Sequence, residues 1–253
     1  MGFSVKNFFG NDDIVKLGQA GPFTLVEYKR DLSVTPMTAE AAYYMSQMNV
    51  RRRQVICQLA TAPVTLQAGA MQWTVGNVQA TTGVKGVGDL VGKALRGKVS
   101  GESTIKPEYV GDGVLVTEPT YKHLIVMDVA DWGGSVVLDD GLFLACDSRL
   151  QHKTVMRSNF SSAIAGGEGL FNLSLNGTGA FVVECDCPLE EMVTVELKDD
   201  VLKIDGNFAV MWSGSLGFTV ERSGKSLIGS AASGEGLVNV YRGTGKVMMM
   251  PIR

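Results

Sequence analysis

Histidine is nearly absent from this chain. Among 253 residues there are two, His123 and His152. A metal-holding β-barrel of the cupin kind needs several histidines and a carboxylate, so two distant ones argue against that class. Cysteine is scarce as well: Cys57, Cys146, Cys185 and Cys187. No second Cys or His pair completes a ligand set around Cys185-Asp186-Cys187. The pair is read as two thiols on one strand face, because alternate strand residues point the same way. No charged segment followed by an apolar stretch and a cleavage site opens the chain, so no secretory signal is read. No apolar run approaches the ~20 residues of a membrane-spanning helix. Free thiols in a reducing cytoplasm are the expectation. Charged residues make up only 19% and the net charge is -3, which gives no general attraction to nucleic acid. Gly92-Lys93 is not a phosphate loop, since Val87 and Ala94 stand where glycine and Ser or Thr are needed. Gly214-Ser215-Leu216-Gly217 lacks the spacing of a nucleophile elbow. No catalytic residue, metal ligand or cofactor is assigned.

What the chain does have is glycine, 31 of them, and a pattern they carry three times. Gly101-Glu102-Ser103 runs on to Gly111-Asp112-Gly113. Gly167-Glu168-Gly169 runs on to Gly177-Thr178-Gly179, and Gly234-Glu235-Gly236 to Gly243-Thr244-Gly245. The Gly-Glu pairs are 66 and 67 residues apart. Such a period marks one supersecondary unit used three times and packed on its own copies. Phe171, Leu173 and Leu175 alternate with polar residues, the period of a half-buried strand. Asn176-Gly177-Thr178-Gly179 then reads as a turn, with Ala180–Val183 as the return strand. Val238, Val240 and Val247–Met250 repeat this arrangement. In the first copy, Pro107 cannot donate to a ladder, which predicts an edge or bulged strand. Glu102, Glu168 and Glu235 are read as fixing their glycine-flanked turns through charge-assisted bonds from backbone N–H groups.

A second hairpin is predicted upstream of each Gly-Glu, over Val64–Met71, Val137–Phe143 and Leu202–Val210. In the latter two, Asp-Gly between apolar runs is the hairpin signal. Many short strands with regular turns indicate an all-β fold. One helix is expected, with Thr35 as N-cap and Pro36 at the first position. Its face of Met37, Ala41, Tyr44, Met45 and Met48 should pack on the β core. Arg51-Arg52-Arg53 reads as a solvated run entering a strand. The glycine-rich stretch 86–98 carries Lys93, Arg96 and Lys98. It reads as a flexible insert, or as a basic patch for a membrane surface or protein partner. The organisation expected is an N-terminal strand and helix segment, 1–54, followed by β repeats over 55–118, 119–187 and 188–253.

The Gly-Glu-Gly-Leu motifs at 167–170 and 234–237, with Gly177-Thr178-Gly179 and Gly243-Thr244-Gly245, resemble the signature of the altered inheritance of mitochondria family and its bacterial relatives. So does the glycine-rich insert running into Gly101-Glu102-Ser103. The resemblance covers residues 55–253. It implies three units like the tryptophan RNA-binding attenuation protein, of short double-stranded β-helix type, and a homotrimer whose nine units close a ring. For eukaryotic members it implies a role at the mitochondrial inner membrane. It implies no enzymatic activity, and tryptophan or RNA binding does not carry over. The first copy departs from the pattern, with Ser103-Thr104 in place of Gly-Leu. The function expected is that of a non-enzymatic ring-forming β scaffold, bacterial and cytoplasmic. The alternative is a small-ligand or metal-binding module, conceivably an enzyme, with sites between repeats.

Overall fold

The computed structural model describes residues 2–82, 106–156, 171–222 and 237–251. In chain order the strands are β1 (Ile14–Ala20), β2 (Phe23–Tyr28), β3 (Arg53–Gln58), β4 (Val64–Leu66), β5 (Met71–Thr81), β6 (Glu108–Thr117), β7 (His123–Asp128) and β8 (Ser135–Leu138). They continue as β9 (Phe143–Asp147), β10 (Gln151–Met156), β11 (Phe171–Asn176), β12 (Ala180–Cys185), β13 (Val193–Asp205), β14 (Ala209–Ser213), β15 (Gly217–Arg222) and β16 (Leu237–Met249). Among the described residues a single α-helix, α1 (Ala39–Gln47), lies between β2 and β3. The fold is all-β, as its sequence pattern requires.

Two antiparallel sheets hold these strands. The first runs β1-β2-β3-β6-β4-β9-β12-β7, with β5 also on β6. It curls like a barrel wall: a Cβ built on Gly18 of β1 would lie 3.4 Å from Val126 Cγ1 of β7, at the far end of the strand order. Phe23, Leu25, Val55, Val64, Leu66, Leu115 and Val182 fill the inside of that curl. The second sheet runs β10-β11-β8-β14-β16-β13, with β15 also on β16. Between the sheets, Val136, Leu138, Leu173 and Met211 of the second meet Ile125, Phe143 and Phe181 of the first. Each such side chain taken from water stabilises the fold by about 1.5–3 kcal/mol. β9 and β14 are buried along their whole length, which is why they read as plain apolar runs rather than alternating ones.

The Gly-x-Gly motifs are not turns between paired strands. Gly111-Asp112-Gly113 lies within β6, and Gly243-Thr244-Gly245 within β16. Gly177-Thr178-Gly179 carries the chain from β11 in the second sheet to β12 in the first. The so-called return strand β12 pairs with β7 and β9, not with β11. The first glycines share a positive φ, +131° at Gly111, +119° at Gly177 and +116° at Gly243. That region favours glycine because it has no Cβ.

The three upstream hairpins need the same correction. β4 and β5 both pair with β6, and β13 and β14 both pair with β16, in each case on opposite sides of the shared strand. β8 and β9 belong to different sheets. The turn residues bend the chain as expected, Gly141 at φ +80° and Gly206 at φ +73°. They lead to a crossing rather than to a neighbour. Pro107 does not mark an edge either. It precedes β6, and β6 is flanked on one side by β5 and on the other by β3 and β4. Its carbonyl accepts the Leu66 N–H at 3.0 Å.

The helix begins later than expected, with Thr38 rather than Thr35 at the N-cap position. None of its residues is buried. Met37, just before it, is 92% exposed and Met48, just after it, 77%. It therefore does not pack on the β core. What fixes it is its C-terminal end. Asn49 takes φ +62°, and the Val50 N–H bonds back to the Met45 carbonyl at 2.9 Å, the closing bond of a Schellman-type helix end.

Candidate functional site

One cavity opens where the two sheets part. It measures about 460 Å³. Its wall is built from three places that the topology brings together. The Asp139-Asp140-Gly141-Leu142 corner passes from β8 in one sheet to β9 in the other. The end of β12 supplies Glu184, Cys185, Asp186 and Cys187. Val210 of β14, with Met250 and Pro251 after β16, closes the other side. Asp139 sits at the corner because its N–H bonds the Val210 carbonyl at 2.9 Å and its own carbonyl accepts the Leu142 N–H at 3.3 Å. The lining thus joins residues of 119–187 to residues of 188–253.

The chemistry of this cavity is acidic. Asp139, Asp140, Glu184, Asp186 and Glu191 line it with one amine, Lys122. Lys122 Nζ lies 3.7 Å from Asp186 Oδ1, the Thr120 hydroxyl donates to Glu184 Oε1 at 2.6 Å, and Asn207 Nδ2 donates to Asp139 Oδ2 at 3.4 Å. The strand β12 ends at Cys185, so Cys187 lies beyond it rather than on its face. The Cys185 thiol donates to the Cys187 carbonyl at 3.0 Å. Burial pushes the Cys185 thiol up to about 11, and burial followed by the nearby Glu191 raises Cys187. The thiolate is the nucleophile and the metal ligand, so at neutral pH neither cysteine is poised for either task. Among the described residues, no group of three His, Cys, Asp or Glu side chains is placed to hold a metal ion.

A second recess, about 340 Å³, lies beside β7 and is lined by Leu17, Leu25, Glu27, Arg53, His123 and Leu189 among others. Burial, then the Arg53 charge, lowers the His123 pKa. Here the arginine run departs from expectation. Arg53 is 2% exposed and Glu27 5%. Arg53 NH2 lies 2.7 Å from Glu27 Oε2 and Arg51 NH1 3.0 Å from Oε1. Arg53 also donates to the Asn49 carbonyl at 2.9 Å and to Asn49 Oδ1 at 2.8 Å. Arg53 is a buried clamp on the helix end, and Arg51 and Arg52 are half-buried, so the run is not a solvated stretch. Adjacent strand residues point to opposite faces, and the partner of Arg53 stands 26 residues upstream, so no local pattern announces the pair.

Of the motif residues, Gly101, Glu102, Gly167, Glu168, Gly169, Gly234, Glu235 and Gly236 lie outside the described residues, as do Lys93, Arg96 and Lys98. The six glycines of the Gly-x-Gly motifs are described. They sit in or beside strands of both sheets, not around one cavity. The Lys246 N–H bonds Ser213 Oγ at 3.0 Å, and the Ser215 hydroxyl bonds the Thr244 carbonyl at 2.8 Å. These bonds tie the third motif to the β14–β15 corner, a structural role. No helix among the described residues is long and apolar enough to cross a membrane.

An uncharacterized protein of Streptococcus pyogenes serotype M6 is 30% identical over 197 residues, spanning 75% of this chain and 77% of that one. The crystal structure of a Streptococcus pyogenes protein superposes with a TM-score of 0.59 at 28% identity, covering 81% of this chain and 90% of the other. The family model described as mitochondrial biogenesis AIM24 matches residues 47–252, which take in all of both cavities except the β1–β2 side of the second recess. The chain belongs to the mitochondrial biogenesis AIM24 family.

Proposed function

We propose that this protein is a non-enzymatic β scaffold that closes with two copies of itself into a ring, built from three look-alike units of the tryptophan RNA-binding attenuation protein type. The observation that supports this is the positive φ shared by Gly111, Gly177 and Gly243, the first glycine of each copy of the repeated motif. Units that present like faces to one another extend naturally into a closed oligomer. The raised thiols of the large cavity agree with a scaffold rather than a nucleophilic enzyme. Sedimentation velocity of the full chain tests the ring: a chain count divisible by three is expected, and a monomer or a plain dimer overturns it. The scaffold works in the cytoplasm, and Lys93, Arg96 and Lys98 are its surface for a membrane or a protein partner. Vesicle flotation of the triple neutral variant tests the membrane arm, which falls if parent and variant float alike.

One observation favours a second reading. The acidic cavity joins the second and third predicted repeats, where a ligand site between units would stand. Its carboxylates and apolar lining suit a small cationic molecule. A ligand bound only by the native state raises the melting temperature. A panel of short amines giving no rise removes this reading and leaves the scaffold.

A further inference from the structure

β5 is the longest strand of the first sheet, and among the described residues it pairs on one side only, with β6. From Met71 to Ala80 its sequence holds no charged residue. Among the described residues, no backbone bond along that stretch is directed to anything but β6. The β13 edge of the second sheet is different. β13 carries Glu196, Lys198, Asp199, Asp200, Lys203 and Asp205, and a register shift between Leu197 and Asp200. Charges and bulges of that kind keep an edge strand from pairing with another chain, whereas a long uncharged edge invites it. Among the described residues, β13 is thus a guarded edge and β5 an unguarded one.

We infer that the β5 edge is an interface, and that its occupant is the β5 edge of a second copy of this chain, paired antiparallel about a two-fold axis at Gly76. The register follows from the bend in the strand. Gly76 has φ +97° and stands opposite Gly113 in the existing pair with β6. A Cβ on Gly76 would come 2.8 Å from the Asp112 carbonyl oxygen, and one on Gly113 would collide with the Val75 carbonyl oxygen. On its covered side the bend is accommodated by glycine facing glycine. β5 itself carries a glycine at the centre of an uncharged stretch, so a second β5 meets it with the same bend and opposes no like charges. A foreign peptide held at a sheet edge draws its specificity from side-chain pockets beside the strand, and neither cavity described above borders β5. The lower face of β5 is already covered, with Phe8 against Trp73 at 5.7 Å between ring centres, which leaves the edge rather than the face for contact.

This goes beyond the ring and stands without it. Thr74 and Gln79 are exposed residues of β5, so T74K/Q79K sets lysines along the edge without touching the core. Native mass spectrometry at micromolar concentration, with a melting curve to show that the variant is folded, reads the outcome. If both the edge and the ring hold, the parent contains six chains and the variant three. If the edge holds and the ring fails, they contain two and one. A parent with three chains or one, or a folded variant with the mass of the parent, overturns the edge interface whatever becomes of the ring.

Discussion

Arg53 and Glu27 form an ion pair at 2.7 Å with both side chains almost wholly out of water. Removing one partner strands the other as a buried charge, which costs about 3–5 kcal/mol. Arg53→Ala should therefore lower the urea midpoint sharply and release the helix end that Arg53 holds through Asn49. Arg53→Met with Glu27→Leu should recover most of the loss, since a well-packed apolar pair removes both charges together. Equal stability of Arg53→Ala and the parent would show that the pair is exposed in solution.

Gly111 combines φ +131° with a Cβ position that meets the Asn77 carbonyl oxygen. Gly111→Ala adds backbone strain and overpacking, together roughly 2–5 kcal/mol. Gly69 also has a positive φ, +82°, but nothing lies within 4 Å of its Cβ position, so Gly69→Ala should be the milder change. Chemical denaturation of the two variants checks the order, and the reverse order contradicts the close pairing of β5 and β6 at Gly111.

The links from β8 to β9 and from β11 to β12, which pass between the sheets, mark where the sequence could be followed and where it could not. Asp140-Gly141 and Gly177-Thr178-Gly179 were legible as places where the chain bends, because turn chemistry is local. Which strand lies next to which was not legible. The same Asp-Gly serves a hairpin or a corner between sheets, and only the distant partners of β8 and β9 decide. The apolar spacing of Met37, Tyr44 and Met48 reads as a buried face, yet these residues face solvent, because periodicity does not say what covers a face. The acidic cavity was equally hidden: Asp139, Glu184 and Glu191 come from separate elements and meet only after the sheets have packed.

The exposed helix gives a contrast in stability. Met37→Gln and Met48→Gln remove side chains that bury little, so each should shift stability by no more than about 0.5 kcal/mol. Leu138→Ala and Met211→Ala empty fully buried positions between the sheets and should cost about 2–5 kcal/mol each. Thermal melts of the four variants check this. A large loss from Met48→Gln would mean that the helix packs on the core after all.

The buried thiols set an alkaline limit. Burial raises Cys185 from 9.0 to about 11 and Cys146 to about 12. The unfolded chain loses these protons near pH 9 while the folded chain keeps them. Each thiol's contribution is therefore complete below pH 9 and declines as pH rises through its folded value. For Cys185 the loss reaches about 3 kcal/mol. Urea unfolding from pH 8 to 11 should show stability falling above pH 9, and Cys185→Ala should flatten part of that slope. A flat profile in the parent would place the thiols in water.

Self-assembly through surfaces that one chain leaves open is read most directly from the mass of the intact particle. Native mass spectrometry of the full chain should give six times the 27.0 kDa chain mass, falling to three times in T74K/Q79K. A parent that flies as a single chain at micromolar concentration would contradict both the ring and the edge.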